Sequence, residues 1–365
     1  MFGYPSGRVK IVCQENSFNV KLKNVVQNTV GEYVAPWWYN RHLGSTIQFG
    51  KVYNLPYEIE NIVHSDGSQF VVKWYPKKPS GSEASKICIF VPGLGSKSGD
   101  SYVSKFVQTL SSYNFHCAVV TARGLEHPLS NHKTWHPALH DDVCLLLERT
   151  HEACPDAILF MAGFSAGSNI VHNALLHKPE HIRLAGVFCC CVNWCYATTR
   201  SRLENSIAGK FYSFMLAALL KGIMMKSIQE VEKVHGSSVR QDIQTCRTMS
   251  EVDRVLVRVF GFTSETEQLN AFSALKRVHE KNIIEQPVLL LQPQDDPLHQ
   301  DCVDKNIPVD VVTSNPHVIY METSHGNHIG FVEGPLFEAF TNSNCYSYPA
   351  KVAAVFFQTI IEQKK

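Results

Sequence analysis

The residue most able to do covalent chemistry in this chain is a serine held between two glycines. Residues 163–167 match the pattern G-x-S-x-G, with Ser165 at the centre of a strained turn between a strand and a helix. Residues 157–161 are continuously apolar and indicate a buried strand, and residues 169–176 carry the apolar stripe of a helix. A glycine-rich turn without chemical purpose has the same letters, but this context favours an exposed nucleophile.

A serine hydroxyl is a weak nucleophile unless a base lies within hydrogen-bond reach and a third group orients that base. Two acidic residues, Asp295 and Asp296, follow one predicted strand, and two histidines, His325 and His328, follow the next. The order serine, acid, histidine is that of the α/β-hydrolases. The pattern alone leaves open which acid and which histidine would act.

Backbone donors for a developing oxyanion are expected in the turn at 92–96, Pro-Gly-Leu-Gly-Ser, which directly follows an apolar strand. In the α/β-hydrolase fold this turn lends one N–H group, and the residue after the nucleophile lends another. We therefore predict that Leu94 and Ala166 form the oxyanion hole. The glycine spacing differs from G-x-x-x-x-G-K-[ST], which excludes a phosphate-binding loop of that type.

The remaining elements predict an α/β-hydrolase fold, in which helices flank a mostly parallel central sheet. Residues 57–64 and 69–75 alternate around turn residues and predict an antiparallel hairpin near the N-terminus. Apolar strands then alternate with amphipathic helices, which requires parallel strand pairing and right-handed crossovers. The strands after the hairpin are expected at 87–91, 115–120, 157–161, 184–190, 287–292 and 317–322. A closing helix is expected at 350–363.

Four segments are predicted along the chain. They are an N-terminal leader with an aromatic segment (1–50), the first part of the hydrolase core (51–191), a helical cap insertion (192–285) and the second part of the core (286–365). We expect no regular period in the first 35 residues. Helical stretches of the cap are expected at 211–225, 227–234, 251–259 and 265–278, above the carboxyl ends of the strands.

The most apolar cap stretch, 211–220, has three interpretations: a core helix, a wall of an acyl-chain pocket, or a membrane-docking surface. Core packing is favoured because apolar helices usually bury themselves. Lys221 ends the stretch, which we expect to be too short to cross a bilayer. Peripheral contact with a membrane stays open.

Composition excludes several classes of function. A formal net charge of +1 from 34 basic and 33 acidic side chains in 365 residues gives no indication of nucleic-acid binding.

Many of the twelve cysteines lie within apolar sequence, which favours reduced core thiols. The N-terminus lacks an apolar signal core, so we expect an intracellular, cytoplasmic setting. No C-x2-C pair is matched by a second, and we predict no metal and no organic cofactor. The sequence leaves the oligomeric state open.

A second spacing, in which four residues separate His136 from Asp141, is H-x4-D, which is associated with acyltransferases. We set it aside because it precedes the elbow at the predicted start of a helix. Acidic residues there favour the helix dipole and need no catalytic role.

At this point the sequence resembles AB hydrolase family 4, the abhydrolase-domain branch of the α/β-hydrolases, over nearly the whole chain from about residue 35. The residues that carry the resemblance are Trp38-Tyr39-Asn40-Arg41-His42-Leu43, Asp66-Gly67, Pro92-Gly93-Leu94, Gly163 to Ile170, Asp295-Asp296-Pro297-Leu298 and His325 to Gly334. Two features differ from the family pattern. Many relatives begin with a membrane-anchoring segment that we do not find in this chain, and the second elbow glycine is followed by Ser168.

The resemblance implies which residues act. It selects Asp296, which directly precedes proline, and His328, the second histidine, with Asp295 and His325 as the fallbacks. It also implies a serine esterase or lipase acting on acyl esters, a carboxylic ester hydrolase that needs no cofactor. The apolar cap leads us to expect medium or long acyl chains. An alcohol O-acyltransferase using the same acyl-enzyme, and a catalytically silent binding protein, are the alternatives.

Overall fold

The computed structural model describes residues 9–40, 42, 52–81, 85–298, 309–333 and 347–363. Parts of the predicted leader (1–8, 41 and 43–50), and Arg41, Leu43 and Gly334 of the resembling motifs, lie outside the described residues. Among the described residues, nine strands form one sheet: β1 (Lys10–Cys13), β2 (Glu58–Val63), β3 (Gln69–Tyr75), β4 (Lys86–Val91), β5 (Phe115–Val120), β6 (Ile158–Phe164), β7 (Leu184–Cys190), β8 (Val288–Pro293) and β9 (Val318–Thr323).

The strand order is β1-β9-β8-β7-β6-β4-β5-β3-β2. The strands β4 to β9 pair in parallel, whereas β2, β3 and the edge strand β1 are antiparallel to their neighbours. This arrangement confirms the predicted fold class, including the antiparallel hairpin near the N-terminus. Parallel strands place their carboxyl ends at one edge of the sheet, so the segments that follow β4, β6, β8 and β9 meet there.

The helices are α1 (Ser17–Thr29), α2 (Ser101–Ser112), α3 (Asp141–Ala153), α4 (Ala166–His177), α5 (Tyr196–Asn205), α6 (Ile207–Lys226), α7 (Ile228–His235), α8 (Ser238–Thr245), α9 (Met249–Val259), α10 (Glu265–Phe272), α11 (Ala274–Glu280), α12 (Val309–Ser314) and α13 (Tyr348–Gln363). The helices α1, α2 and α13 cover one face of the sheet, and α3, α4 and α11 cover the other.

The central strands are buried on both faces, which explains their continuous apolar sequence. In β4, Cys88 and Phe90 face one helical layer, whereas Ile87 and Ile89 face the other. The same alternation continues along β6. The sheet and the elbow at its carboxyl edge are therefore fixed by two separate cores.

The N-terminal segment is more ordered than the sequence indicated. The strand β1 pairs with β9, and Lys10 lies opposite Glu322. The helix α1 begins after Asn16, whose side chain accepts the N–H of Asn19 at 2.8 Å. The Asn19 amide also donates to the carbonyl of Pro316 at 3.0 Å. A strand of four residues is too short to show a clear alternation of polar and apolar residues. Its partner strand lies about three hundred residues away, so the pairing gives no local sequence signal.

Seven helices, α5 to α11, lie between β7 and β8, and several of them share an apolar cluster of their own. Two of these helices, α5 and α8, were not predicted, and the stretch expected at 265–278 is two helices that meet at Ser273. The last helix, α11, packs its Leu275 and Val278 into the core beside α4. The division of the chain into four segments stays a prediction.

Candidate active site

The turn from β6 into α4 holds Ser165 in a backbone conformation that few side chains adopt. Its φ is 52° and its ψ is −124°, and its N–H donates to the carbonyl of Cys190 at 2.9 Å. Positive φ in a residue other than glycine costs free energy, and it persists only where surrounding structure enforces it. Here β7 and the start of α4 enforce it, and the serine stands at the carboxyl edge of the sheet.

The two glycines of the elbow are required by space rather than by their own torsions. A Cβ atom on Gly163 would lie 2.7 Å from the Cα of Ser168. A Cβ atom on Gly167 would lie 2.1 Å from the carbonyl oxygen of Val91. Both distances are far below van der Waals contact, so a larger residue at either position displaces the backbone around Ser165.

The structure brings Ser165, His328 and Asp296 together from three different loops. The Oγ of Ser165 lies 2.7 Å from the Nε2 of His328, and the Nδ1 of His328 lies 2.8 Å from the Oδ2 of Asp296. The other oxygen of Asp296 accepts the N–H of Leu298 at 2.9 Å. A neutral imidazole protonated on Nδ1 donates to the carboxylate and leaves Nε2 to accept the serine proton.

The fallback residues take other partners. Asp295 accepts the N–H of Asn327 at 2.8 Å and the hydroxyl of Tyr39 at 2.5 Å. His325 contacts the hydroxyl of Ser324 at 3.0 Å, and its ring meets Tyr39 edge-on. The geometry of the candidate triad therefore uses the second residue of each pair. Burial raises the pKa of Asp295 above its usual range, while the bonds from Tyr39 and Asn327 oppose this rise.

The turn predicted to supply an oxyanion donor lies directly against the nucleophile. A Cβ atom on Gly93 would be 3.3 Å from the Cβ of Ser165. The N–H of Gly93 donates to the hydroxyl of Tyr102 at 2.9 Å, and that hydroxyl donates to Ser96 at 2.6 Å. Tyr102 thus fixes the turn in which Leu94 lies. Sequence reasoning missed Tyr102, because its signal is only an apolar position on α2.

The second predicted donor, Ala166, is the first residue of α4. The first N–H groups of a helix have no partner within the helix and point out of its N-terminus. The structure therefore brings both predicted donors to the neighbourhood of Ser165. Their role as an oxyanion hole stays a prediction.

A cysteine that sequence reasoning missed lies beside the acid and the histidine. Cys191 has a φ of 55°, and its Sγ accepts the N–H of Ile329 at 3.2 Å. The ligand atoms of Cys191, Asp296 and His328 lie within 4.8 Å of one another, close enough to hold a metal ion. Both ring nitrogens of His328 are hydrogen-bonded to protein groups, however, which is the arrangement of a triad rather than of a metal centre.

The H-x4-D residues lie in separate environments. The ring of His136 lies among Phe260, Phe262 and Phe272, and burial lowers its pKa to about 3. Asp141 begins α3 with its side chain largely exposed. Packing against three phenylalanine rings accounts for His136, and Asp141 is largely exposed, so the H-x4-D spacing needs no catalytic explanation.

The cap helix α6 covers the turn after β4. The side chain of Leu219 lies so close to Gly95 that a Cβ atom there would be 2.9 Å from it. The outer face of α6 is exposed: Ile207 is 93% exposed, Phe211 60% and Phe214 58%, and Leu219 at the border of this face is 42% exposed. Core packing alone, the favoured interpretation of residues 211–220, therefore accounts for only one face of this helix.

The length of α6 also corrects the argument from residues 211–220. Among the described residues, α6 is the one helix that is long and apolar enough to cross a membrane, judged by length and composition alone. It has 20 residues, and 33% of its most apolar window is buried against the protein. Such a helix passes the same test when it belongs to the core of a soluble protein.

The strand order, the elbow and the order of the acid and the histidine define the class of protein. The chain is a member of the α/β-hydrolase superfamily, as predicted. No protein-family model matches the chain.

Curated relatives agree with this class. The chain is 25% identical to a monoacylglycerol lipase ABHD2 of Danio rerio, with 90% of this chain and 81% of the relative covered. It is 24% identical to a phospholipase ABHD3 of Homo sapiens, covering 89% and 80%. A solved acylaminoacyl peptidase of Pyrococcus horikoshii is 13% identical with a TM-score of 0.49, covering 91% of this chain and 46% of that one.

Proposed function

We propose that this protein is a serine hydrolase that cleaves carboxylic esters of lipids. The observation that carries the proposal is the continuous path from Ser165 Oγ through the ring of His328 to Asp296, with contacts of 2.7 and 2.8 Å. The relatives' names, a monoacylglycerol lipase and a phospholipase, support an ester of a lipid as the substrate class. The motif resemblance supports placement in AB hydrolase family 4.

In this mechanism His328 takes the proton of Ser165 as the oxygen attacks the ester carbonyl, and Asp296 stabilises the imidazolium that forms. The N–H groups of Leu94 and Ala166 stabilise the tetrahedral oxyanion, each by about 3 to 4 kcal/mol. The imidazolium then protonates the departing alcohol, and an acyl-enzyme remains on Ser165. Water, deprotonated by His328, attacks the acyl carbon and releases the free acid.

A fluorophosphonate probe tests this function, because the probe phosphonylates an activated serine. We expect the probe to label the protein, Ser165→Ala to abolish labelling, and Ser130→Ala, a serine on an exposed loop, to leave it unchanged. A folded protein that resists the probe would overturn the proposal and leave the silent binding protein. Turnover in the presence of an alcohol separates the acyltransferase alternative, because acyl transfer yields a new ester instead of the free acid.

For the location of the protein we propose an intracellular, cytoplasmic enzyme that contacts membranes peripherally through α6. The exposed side chains of this helix form one apolar stripe, which includes Phe211 and Phe214, and its other face packs on the cap. The helix carries three lysines and no acidic residue. An apolar stripe with basic residues suits the surface of an anionic membrane.

Sedimentation with vesicles tests this location. We expect the protein to bind vesicles of phosphatidylcholine with phosphatidylserine more tightly than vesicles of phosphatidylcholine alone. The double variant Phe211→Ser, Phe214→Ser should weaken binding at least about tenfold, because it removes two large apolar side chains from the contact. Ile59→Ser, at an exposed apolar position on β2, is the matched control. Absence of binding to either vesicle, with the protein folded, contradicts the proposal.

A further inference from the structure

The loop that carries His328 has an uncommon backbone. Asn327, Ile329 and Phe331 all have positive φ, at 58°, 64° and 26°. Each such residue costs of order 1 to 3 kcal/mol, and it stays in place only when neighbouring groups hold it. The imidazole lies within this segment, so its aim at Ser165 depends on whatever fixes the loop.

A carboxylate and a phenol hold the backbone just before His328. Asp295 Oδ1 accepts the N–H of Asn327 at 2.8 Å, and Asp295 Oδ2 accepts the hydroxyl of Tyr39 at 2.5 Å. The Tyr39 oxygen in turn accepts the N–H of Gly326 at 3.2 Å. The successive N–H groups of Gly326 and Asn327 are therefore accepted by two side chains that are bonded to each other. We call this pair of side chains the Tyr39–Asp295 clasp.

The clasp is enclosed and has a defined direction of hydrogen bonding. Tyr39 is buried, and burial together with the charge of Asp295 raises the pKa of its phenol far above the usual range. The phenol therefore stays protonated, and its O–H group donates a hydrogen bond to Asp295. Both oxygens of Asp295 accept hydrogen bonds, which favours the ionised carboxylate, and hydrogen bonds to an ionised acceptor are stronger than neutral ones.

Asp295 and Asp296 are neighbours in the chain but bond different parts of the loop that carries His328. Asp296 bonds the ring of His328, whereas Asp295 bonds the main chain one residue earlier. The turn after β8 thus fixes the side chain of His328 and the backbone of the residue before it. On the other side of the loop, the Sγ of Cys191 accepts the N–H of Ile329.

We propose that Tyr39 and Asp295 are positioning residues, which hold the His328 loop so that the imidazole stays aimed at Ser165. This inference rests on the proposed serine hydrolase function and deepens it. A misplacement of about 1 Å can cost about 100-fold in rate. Loss of the clasp should therefore lower kcat, because it changes the geometry of proton transfer, and leave KM nearly unchanged.

The experiment compares Tyr39→Phe, Asp295→Asn and Asp295→Ala with the wild type. The matched control is Tyr196→Phe, which breaks a similar buried bond of 3.0 Å between Tyr196 and Asp253 in the cap. For each variant the measurements are the rate of fluorophosphonate labelling, kcat and KM on a p-nitrophenyl ester, and thermal unfolding.

We expect kcat to fall about tenfold in Tyr39→Phe and about 100-fold in Asp295→Ala, with KM within twofold of the wild type. Asp295→Asn should lie between them, because its amide oxygen can still accept the N–H of Asn327. Tyr196→Phe should lower the melting temperature without these kinetic changes.

Two negative results are distinguishable. If the wild type itself is not labelled, the proposed hydrolase function fails before the clasp is considered. If the wild type is labelled and turns over, and folded Tyr39→Phe and Asp295→Asn keep its kcat, the positioning role is wrong. Tyr39→Phe removes a single oxygen atom, so it decides the question even if Asp295→Ala does not fold.

Discussion

The carbonyl oxygen of Val91 occupies the space that a side chain on Gly167 would need. A Cβ atom at residue 167 would lie 2.1 Å from this oxygen, and 2.5 Å from the carbonyl oxygen of Pro92. The first turn of α4 is thereby packed against the end of β4, where the predicted oxyanion turn begins. The contact fixes the distance between the nucleophile and the turn that contains Leu94.

Gly167→Ala should therefore inactivate the protein and destabilise it. Neither carbonyl can move without shifting β4 or the turn after it, and overpacking of this kind typically costs 1 to 3 kcal/mol or more. Fluorophosphonate labelling and thermal unfolding measure the two effects. Gly222→Ala, on an exposed face of α6 where an added Cβ meets nothing within 4 Å, should stabilise the protein by about 0.5 to 1 kcal/mol. An active and equally stable Gly167→Ala protein would show that the elbow is not as close-packed as described.

Asp296→Asn should lower kcat by about 10³ to 10⁴ while the protein stays folded. The Oδ1 position accepts the N–H of Leu298, so the amide oxygen stays there and the NH2 group faces Nδ1 of His328. The ring must then carry its proton on Nε2, where it can no longer accept the proton of Ser165. Steady-state kinetics on a p-nitrophenyl ester measure the loss. Asp295→Asn is the comparison variant. If Asp295→Asn loses more activity than Asp296→Asn, the catalytic acid has been assigned to the wrong residue.

The elbow could be predicted because its causes are local. Two close approaches of the backbone require glycine on both sides of Ser165, and the flanking strand and helix have strong apolar periods. The acid and the histidine could be narrowed to two neighbouring pairs by their order after strands. The choice within each pair depends on the direction of single side chains in irregular turns, which periodicity does not encode. The motif resemblance implies Asp296 and His328, and the structure brings these two residues together with Ser165.

In the cap, the helices that were missed are those that bury few apolar residues. In α5 only Thr199 and Leu203 are buried, so no stripe marks this helix, and α8 buries only Val239 and Ile243. Tyr39 lies in the predicted aromatic segment (1–50), and its ring is buried. Its hydroxyl reaches a residue 256 positions away, however. A polar contact over that separation has no signal in a single sequence.

Asp253→Asn should remove a dependence of stability on pH. Burial raises the pKa of Asp253 to about 7, with further upward contributions from Glu265 and Glu204, whereas the Tyr196 hydroxyl and Arg200 oppose the rise. The folded protein then binds a proton that the unfolded chain releases near pH 4, so stability falls as pH rises towards 7.

Between pH 5 and pH 8 the contribution of Asp253 to stability falls by about 3 kcal/mol. Histidines with a lowered pKa, such as His136, change stability in the opposite sense and are present in both proteins. Urea unfolding at the two pH values therefore measures the Asp253 contribution as the change in the stability difference between the wild type and Asp253→Asn. The exposed Asp156→Asn is the control and should behave as the wild type. A stability difference between the wild type and Asp253→Asn that is the same at the two pH values would contradict the assignment.

The acyl-chain preference should follow from the apolar contact between the cap and the oxyanion turn. Leu219 of α6 lies against Gly95, and Leu94 contacts both the sheet core and the cap cluster. An acyl chain that approaches Ser165 beneath α6 therefore meets apolar side chains, and each buried methylene contributes about 0.8 kcal/mol. We expect kcat/KM for p-nitrophenyl decanoate to exceed that for the acetate at least about tenfold. Leu219→Ala should reduce this ratio several-fold, whereas Val234→Ala, at an exposed position on α7, should leave it unchanged. Faster turnover of the acetate by the wild type would mean that the apolar face of α6 serves the membrane and does not hold the acyl chain.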